Sequence, residues 1–250
     1  MSGHSHSSNI QFRKGRQDAK RGKIFTKYGK LITVAVRQAG PEADGNPALR
    51  LALEKARRAN MPKDTIERAI KRGSGDLTDE AKLESLSYEG YGVGGAAILV
   101  DVTTDNRNRS AGDIRKMFER GGGQLGTTGC VSYLFEKRGV FLIGKTGIEE
   151  DRLLEIILEA GGDDLSATEE GFEVLTTPQK YDAVTKALAA ARVEVQQSEI
   201  MSICANRVQL PLEQERQVWR LVEELEDHDD VIHVYHNCDF SDALRAEMDK

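Results

Sequence analysis

Residues 20–38 read KRGKIFTKYGKLITVAVRQ. Lys20, Lys23, Lys27 and Lys30 recur every three or four residues and continue a series begun by Arg13 and Arg16. That spacing sets them on one stripe of an α-helix. Ile24, Tyr28, Leu31, Ile32 and Ala35 keep the same period about a quarter-turn away. The stretch therefore predicts a helix with an apolar edge for a core and a cationic edge for a second partner. The competing reading is a solvated lysine face.

Outward from this helix, residues 1–20 read as a polar arm. On the other side, Gly40-Pro41 is a stop signal, and Asn46-Pro47 is a helix start with Asn as cap and Pro at the first helical position. Leu49, Ala52, Leu53 and Ala56 form the apolar stripe of a second helix, which ends near Asn60. Pro62 opens a third, with Ile66, Ala69 and Ile70 inward and Gly73 and Gly75 closing it. Residues 74–82 form a polar linker.

Beyond it the pattern alternates strands and helices. Strands are predicted at Leu86–Tyr91, Ala96–Thr103 and Val131–Phe135, with Ser110-x-x-Asp113 as a capping box for the helix between the last two. Residues 139–206 read βαββαβ, the ferredoxin-like order. A helix at Leu212–Glu226 and a strand at Val231–Tyr235 follow. The predicted fold is α+β: an N-terminal three-helix domain (1–75, arm included) and two α/β domains of ferredoxin-like βαββαβ character, one inserted in the other. The inserted domain is 139–206, and the discontinuous one is 83–136 with 207–240.

Net charge over the 250 residues is −6, but it is divided unevenly. Residues 1–75 carry 17 Lys and Arg against 6 Asp and Glu, a net of +11; residues 76–250 carry 18 against 35, a net of −17. A basic binding module on an acidic body is the expected reading, with the basic part meeting phosphates. Cys130, Cys204 and Cys238 are odd in number and far apart, which predicts reduced thiols. With no signal-peptide pattern and no apolar run near ~20 residues, the sequence predicts a cytoplasmic protein with no membrane contact.

No catalytic constellation emerges, and neither a cofactor nor a metal is expected. His233 and His236 fall on opposite faces of a strand, a poor metal pair. His4 and His6 in the arm carry no more weight than any His pair. There is no GxxxxGK[ST] loop, and Gly90–Gly95 and Gly121–Gly126 lack a dinucleotide-site context, so tight turns explain them. Asp105-Asn106-Arg107-Asn108-Arg109 at a strand-to-helix junction is the sharper candidate. Arg107 and Arg109 could clamp a phosphate there; alternatively the loop is held by its own Asn and Asp side chains.

Several long motifs resemble the YebC/PmpR family, which also includes the mitochondrial translational activator of cytochrome c oxidase. They are Gly3-His4-Ser5, the run Asp18 to Lys27 (DAKRGKIFTK), the run Asn60 to Ile70 (NMPKDTIERAI), Tyr88-Glu89-Gly90-Tyr91-Gly92 and Thr104 to Arg109 (TDNRNR). The resemblance spans essentially the whole chain. It implies three domains and a cytoplasmic, non-enzymatic protein; members are usually assigned as DNA-binding transcriptional regulators, others are linked to translation and the ribosome. The chain departs from the family pattern at His6-Ser7, where Lys-Trp is common, and at Val93, where Pro is common. Loss of that aromatic removes a stacking group from the arm.

The leading expectation is thus a monomeric, nucleic-acid-binding regulator of gene expression, DNA first. A ribosome-associated factor using the same cations on ribosomal RNA is the alternative, and an interaction scaffold the third. The candidate contact residues are Arg13, Arg16, Lys20, Arg21, Lys23, Lys27, Lys30, Arg57, Arg58, Lys63, Arg68, Lys71, Arg72, Arg107 and Arg109.

Overall fold

A computed structural model describes residues 21–75, 83–145, 147–168 and 171–248. The arm, with His4, His6, Arg13, Arg16 and Lys20, lies outside the described residues, as do linker residues 76–82. The described residues fall into two compact units, one holding Leu134–Ala205 and the other holding 21–133 with 206–248.

In the larger unit, α1 (Arg21–Ala39), α2 (Pro47–Arg58) and α3 (Lys63–Ser74) make the helical module. Its apolar core joins Ile32, Ala35 and Val36 of α1 to Leu49, Ala52, Leu53 and Ala56 of α2, with Met61 and Ala69. The turn into α2 is fixed by Asn46, whose side chain accepts from Leu49 N (3.0 Å) and donates to Ala35 O (2.8 Å) and Gly40 O (2.9 Å). One amide thereby caps the start of α2 and satisfies carbonyls at the end of α1.

Gly75, in the left-handed region at φ +84°, terminates α3. Gly73 has another role, and this corrects its reading as part of the helix stop. A Cβ at Gly73 would lie 2.6 Å from Val36 Cβ and 2.7 Å from Thr33 O, so α1 and α3 touch backbone to backbone here. Buried Thr33 reinforces the crossing, its hydroxyl lying within reach of Gly29 O (2.9 Å) and Ala69 O (3.1 Å).

The same unit contains an antiparallel sheet of order β3-β1-β2-β8, built from β1 (Glu84–Tyr91), β2 (Ala97–Thr104), β3 (Gln124–Leu125) and β8 (Val231–His236). Ile98, Val100 and Val102 alternate along β2, and with Val231 and Val234 they pack on α4 (Arg107–Arg120) and α7 (Leu212–Glu226) through Ile114, Phe118, Val218, Leu221, Val222 and Leu225. The β2–β8 ladder has a bulge at Asp101/Val102, beyond which Thr103 N donates to Asp230 O (2.8 Å). A short helix, α8 (Asp242–Met248), follows and was not foreseen in the sequence.

The smaller unit runs β4 (Phe135–Gly144), α5 (Glu150–Ala160), β5 (Asp164–Ala167), β6 (Gly171–Thr176), α6 (Tyr181–Ala190) and β7 (Val195–Cys204). Its antiparallel order, β5-β6-β4-β7, is the ferredoxin-like arrangement. Phe141 stacks on Tyr181 with ring centroids 4.8 Å apart, in a core that includes Leu153, Ile157, Val174, Val184 and Leu188.

Three local expectations need correction. Val131–Phe135 is not a strand: Val131 N (2.8 Å) and Ser132 N (2.7 Å) donate to the buried Glu89 carboxylate, and a 3₁₀ turn over Ser132–Leu134 precedes β4. The Ser110 capping box is absent, because α4 starts at Arg107 and Asn106 caps it through Arg109 N (3.1 Å). Thr177-Pro178 forms a turn, and α6 begins at Tyr181.

The glycines supply a stability test. Within a helix, Ala is intrinsically better than Gly by about 0.5–1 kcal/mol. Gly112 in α4 faces open space, so Gly112→Ala should stabilise by about that amount. Gly73→Ala should instead destabilise, by about 1–2 kcal/mol, since overpacking a tight contact typically costs 1–3. Urea unfolding midpoints of the two variants should move in opposite directions.

Candidate nucleic-acid interface

The lysine edge of α1 meets the chain's own acidic segment. Lys23 Nζ donates to Asp227 O (2.9 Å), Lys27 Nζ to Glu226 O, and Lys30 Nζ to Asp229 O (2.9 Å) and Asp230 Oδ1 (2.6 Å). Glu226 ends α7 and Asp227 is its C-cap, where helix carbonyls lack intrahelical partners and the dipole is negative; Asp229 and Asp230 lie in the turn that follows. Of three ammonium groups one helical turn apart, Lys23 and Lys27 therefore cap a helix C-terminus and Lys30 holds the turn after it. Burial pushes the Lys27 amine down to about 8, against the pull of Glu226, Asp227 and Asp229.

Asp230 is the centre of the arrangement. It is 4% exposed and accepts from Lys30, from Ser110 Oγ (2.7 Å), from Arg109 Nη2 (2.9 Å) and from Thr104 Oγ1 (3.0 Å). Burial opposes its ionisation, but the bonds from Lys30, Ser110 and Arg109 outweigh that and hold the carboxyl well below its usual range. A cleft of about 420 Å³ lies beside it, lined by Lys23, Arg109, Met117, Glu224, His228 and the aspartates at 227, 229 and 230. Sequence reasoning passed over this acidic run, ELEDHDD at 224–230. The usable signal was its complementarity to the lysine spacing.

The loop at 105–109 divides its two arginines. Arg109 is paired twice, to Asp105 (2.8 Å) and to Asp230 (2.9 Å). Arg107 is exposed at the first turn of α4, with its carbonyl accepting from Tyr88 Oη (3.1 Å). Asn106 holds the turn itself.

A second cationic surface lies on the module's other helices. Arg57 and Arg58 end α2, and Lys63, Arg68, Lys71 and Arg72 occupy α3; all six are exposed. Arg68, Lys71 and Arg72 share one face by their i, i+3, i+4 spacing, opposite buried Ala69 and Gly73. Arg58 pairs with Glu54 (2.6 Å) and Lys63 with Glu67 (3.7 Å), both exposed i,i+4 contacts of small energetic weight. Arg21 opens α1.

Among the described residues no group of three or more His, Cys, Asp or Glu is arranged to hold a metal. Cys238 is buried and its thiol is pushed up to about 12 by that burial, a poor nucleophile. Among the described residues no helix is long and apolar enough to cross a membrane.

The Asp230 centre gives a prediction with a definite sign. Its folded-state pKa is depressed, so its contribution to stability is complete above the unfolded value near 3.9 and is lost as pH falls below it. Asp230→Asn should destabilise at neutral pH by about 2–3 kcal/mol, under the usual 3–5 for a broken buried pair because Lys30 and Arg109 keep part of their hydration. The gap between wild type and variant should narrow as urea unfolding is followed from about pH 5 to about pH 2. A gap that stays constant over that range would show that the carboxylate charge contributes nothing.

Comparison with known proteins places this geometry in a wider group. The sequence matches the family described as "TACO1/YebC protein N-terminal domain" over residues 5–76 and "TACO1/YebC second and third domain" over residues 83–238. It is 47% identical over 249 residues to a "Probable transcriptional regulatory protein" of Maridesulfovibrio salexigens, covering all of both chains. It is 48% identical to one of the same name in Acidobacterium capsulatum, over 96% of each chain. A crystal structure of a conserved hypothetical protein from Aquifex aeolicus superposes with a TM-score of 0.81 at 40% identity, over 91% of this chain and 94% of that one. With both family segments matched in order and relatives aligned end to end, this chain belongs to the TACO1/YebC family, in which the relatives above carry the name "Probable transcriptional regulatory protein".

Proposed function

We propose that the chain is a non-enzymatic regulator of gene expression that binds nucleic acid through its helical module, with DNA as the first ligand. The observation that carries this reading is the exposed cationic face of α2 and α3, made by Arg57, Arg58, Lys63, Arg68, Lys71 and Arg72. It belongs to a segment of net +11 on an otherwise acidic chain. The names of the relatives, probable transcriptional regulatory proteins, support a regulator at the level of the family. Arg68, Lys71 and Arg72 are spaced to reach successive phosphates of one strand, and such contacts fix position without reading sequence. Arg107 adds a cation at the start of α4.

Each phosphate neutralised on B-DNA contributes roughly 0.9 to the slope of log affinity against log salt. Arg68→Gln with Lys71→Gln should therefore flatten that slope by about 1.8 on duplex DNA, with helix content unchanged because Gln is a good helix former. The measurement is a salt titration of binding with circular dichroism as a folding control. An unchanged slope with intact fold would mean that the face is only solvated. Running duplex DNA beside structured RNA of equal length separates the leading reading from a ribosome-directed one: tighter binding to RNA would favour the latter.

A further inference from the structure

The lysine edge of α1 has the spacing of a phosphate-binding row, yet in this structure its partners are the chain's own oxygens. Lys23, Lys27 and Lys30 touch four acceptors within five consecutive residues, the carbonyls of 226, 227 and 229 and the carboxylate of 230. The surrounding side chains of Glu226, Asp227, Asp229 and Asp230 give that segment a formal charge of −4. A run of anionic and strongly polar oxygens at short intervals offers a lysine row what a nucleic-acid strand offers it.

We infer that segment 226–230 is an intramolecular competitor for nucleic acid: the lysine edge of α1 engages phosphates only when this segment is displaced. The inference rests on the proposed nucleic-acid-binding reading and assigns a second, masked contact surface to it. The contacts are graded in a way that suits displacement. Lys23 with Asp227 and Lys30 with Asp229 are exposed to solvent, so competing ions and phosphates reach them. Lys27, between them, is part-buried where it donates to Glu226 O. Lys30 with buried Asp230 is the anchored end. Opening would start at Lys23 and run toward Lys30.

The test is a mutant cycle on the full chain, with a duplex DNA of fixed length and a structured RNA as probes. Glu226→Gln, Asp227→Asn and Asp229→Asn remove three of the segment's four negative charges and leave the lysines, their carbonyl acceptors and Asp230 in place. In the wild-type background this should tighten binding on the order of threefold or more, the coupling expected of neighbouring charges that hold the row in place. In a Lys23→Gln, Lys27→Gln background the gain should vanish, because no row remains to be released. An equal gain in both backgrounds would mean that the acidic residues act by long-range repulsion alone, and would overturn the inference while leaving the nucleic-acid reading intact. No binding by any variant to either probe would sink that reading, and the competitor with it. Hydrogen exchange on the unaltered protein gives a second readout: saturating nucleic acid should speed amide exchange in 226–230, whereas unchanged or slowed exchange there would count against displacement.

Discussion

A single buried carboxylate, Asp230, ties together two segments of the larger unit that are distant from it and from each other in sequence, α1 and the β2–α4 junction. Lys30 reaches it from α1, Thr104 from the end of β2, and Arg109 and Ser110 from the first turn of α4. A carboxylate out of water is costly unless its lone pairs are filled, and here four donors fill them. The apolar core of the helical module and that of the β3-β1-β2-β8 sheet share no residue. Between them, the Lys30–Asp230 pair supplies a charged, directional contact of α1 with the residue that precedes β8. The bulge at Asp101/Val102 serves the same point, since beyond it Thr103 N takes the Asp230 carbonyl.

Elements whose cause is local were legible in the sequence. The α1 period, the Asn46-Pro47 start and the apolar face of α7 each follow from a few neighbouring residues, and each element forms where its pattern lies. The mixed helix-and-sheet class followed from the same evidence. What could not be read is what depends on a distant partner. Ser110 looked like a cap because caps are recognised by spacing; it is buried where its hydroxyl donates a hydrogen bond to Asp230, 120 residues away. Val131 to Phe135 looked like a strand by composition, but Glu89 takes the amides that a ladder would have used. Gly73 looked like punctuation, while its reason is the α1 backbone beside it. The lysine row was visible and its partner was not, because no local rule pairs position 27 with position 226.

Charge counted along a sequence overstates the charge available to a ligand. The +11 of residues 1–75 includes Lys23, Lys27 and Lys30, which are engaged by carbonyls and a carboxylate. Arg109, outside that segment, is likewise committed to two aspartates. Arg58 and Lys63 differ: their pairs with Glu54 and Glu67 are exposed i,i+4 contacts that water and salt weaken. An approaching polyanion therefore meets two classes of cation on one small module, one at the exposed surface of α2 and α3 and one engaged by segment 226–230.

The choice of lysine for the occupied class has a physical consequence. A guanidinium fork binds carboxylates in a fixed bidentate geometry, whereas an ammonium is a strongly hydrated point charge with three rotatable donors on a flexible stem. Lys23 and Lys27 donate to main-chain carbonyls, acceptors that water or a phosphate oxygen can replace in kind. Only Lys30 meets a buried carboxylate, and that carboxylate keeps Arg109, Ser110 and Thr104 when Lys30 leaves. The contact is thus strong enough to order α1 against the end of α7, yet each lysine can depart without stranding an unpaired buried charge. An apolar patch at the same place would have offered no such exchange, because exposing it to water has no polar replacement.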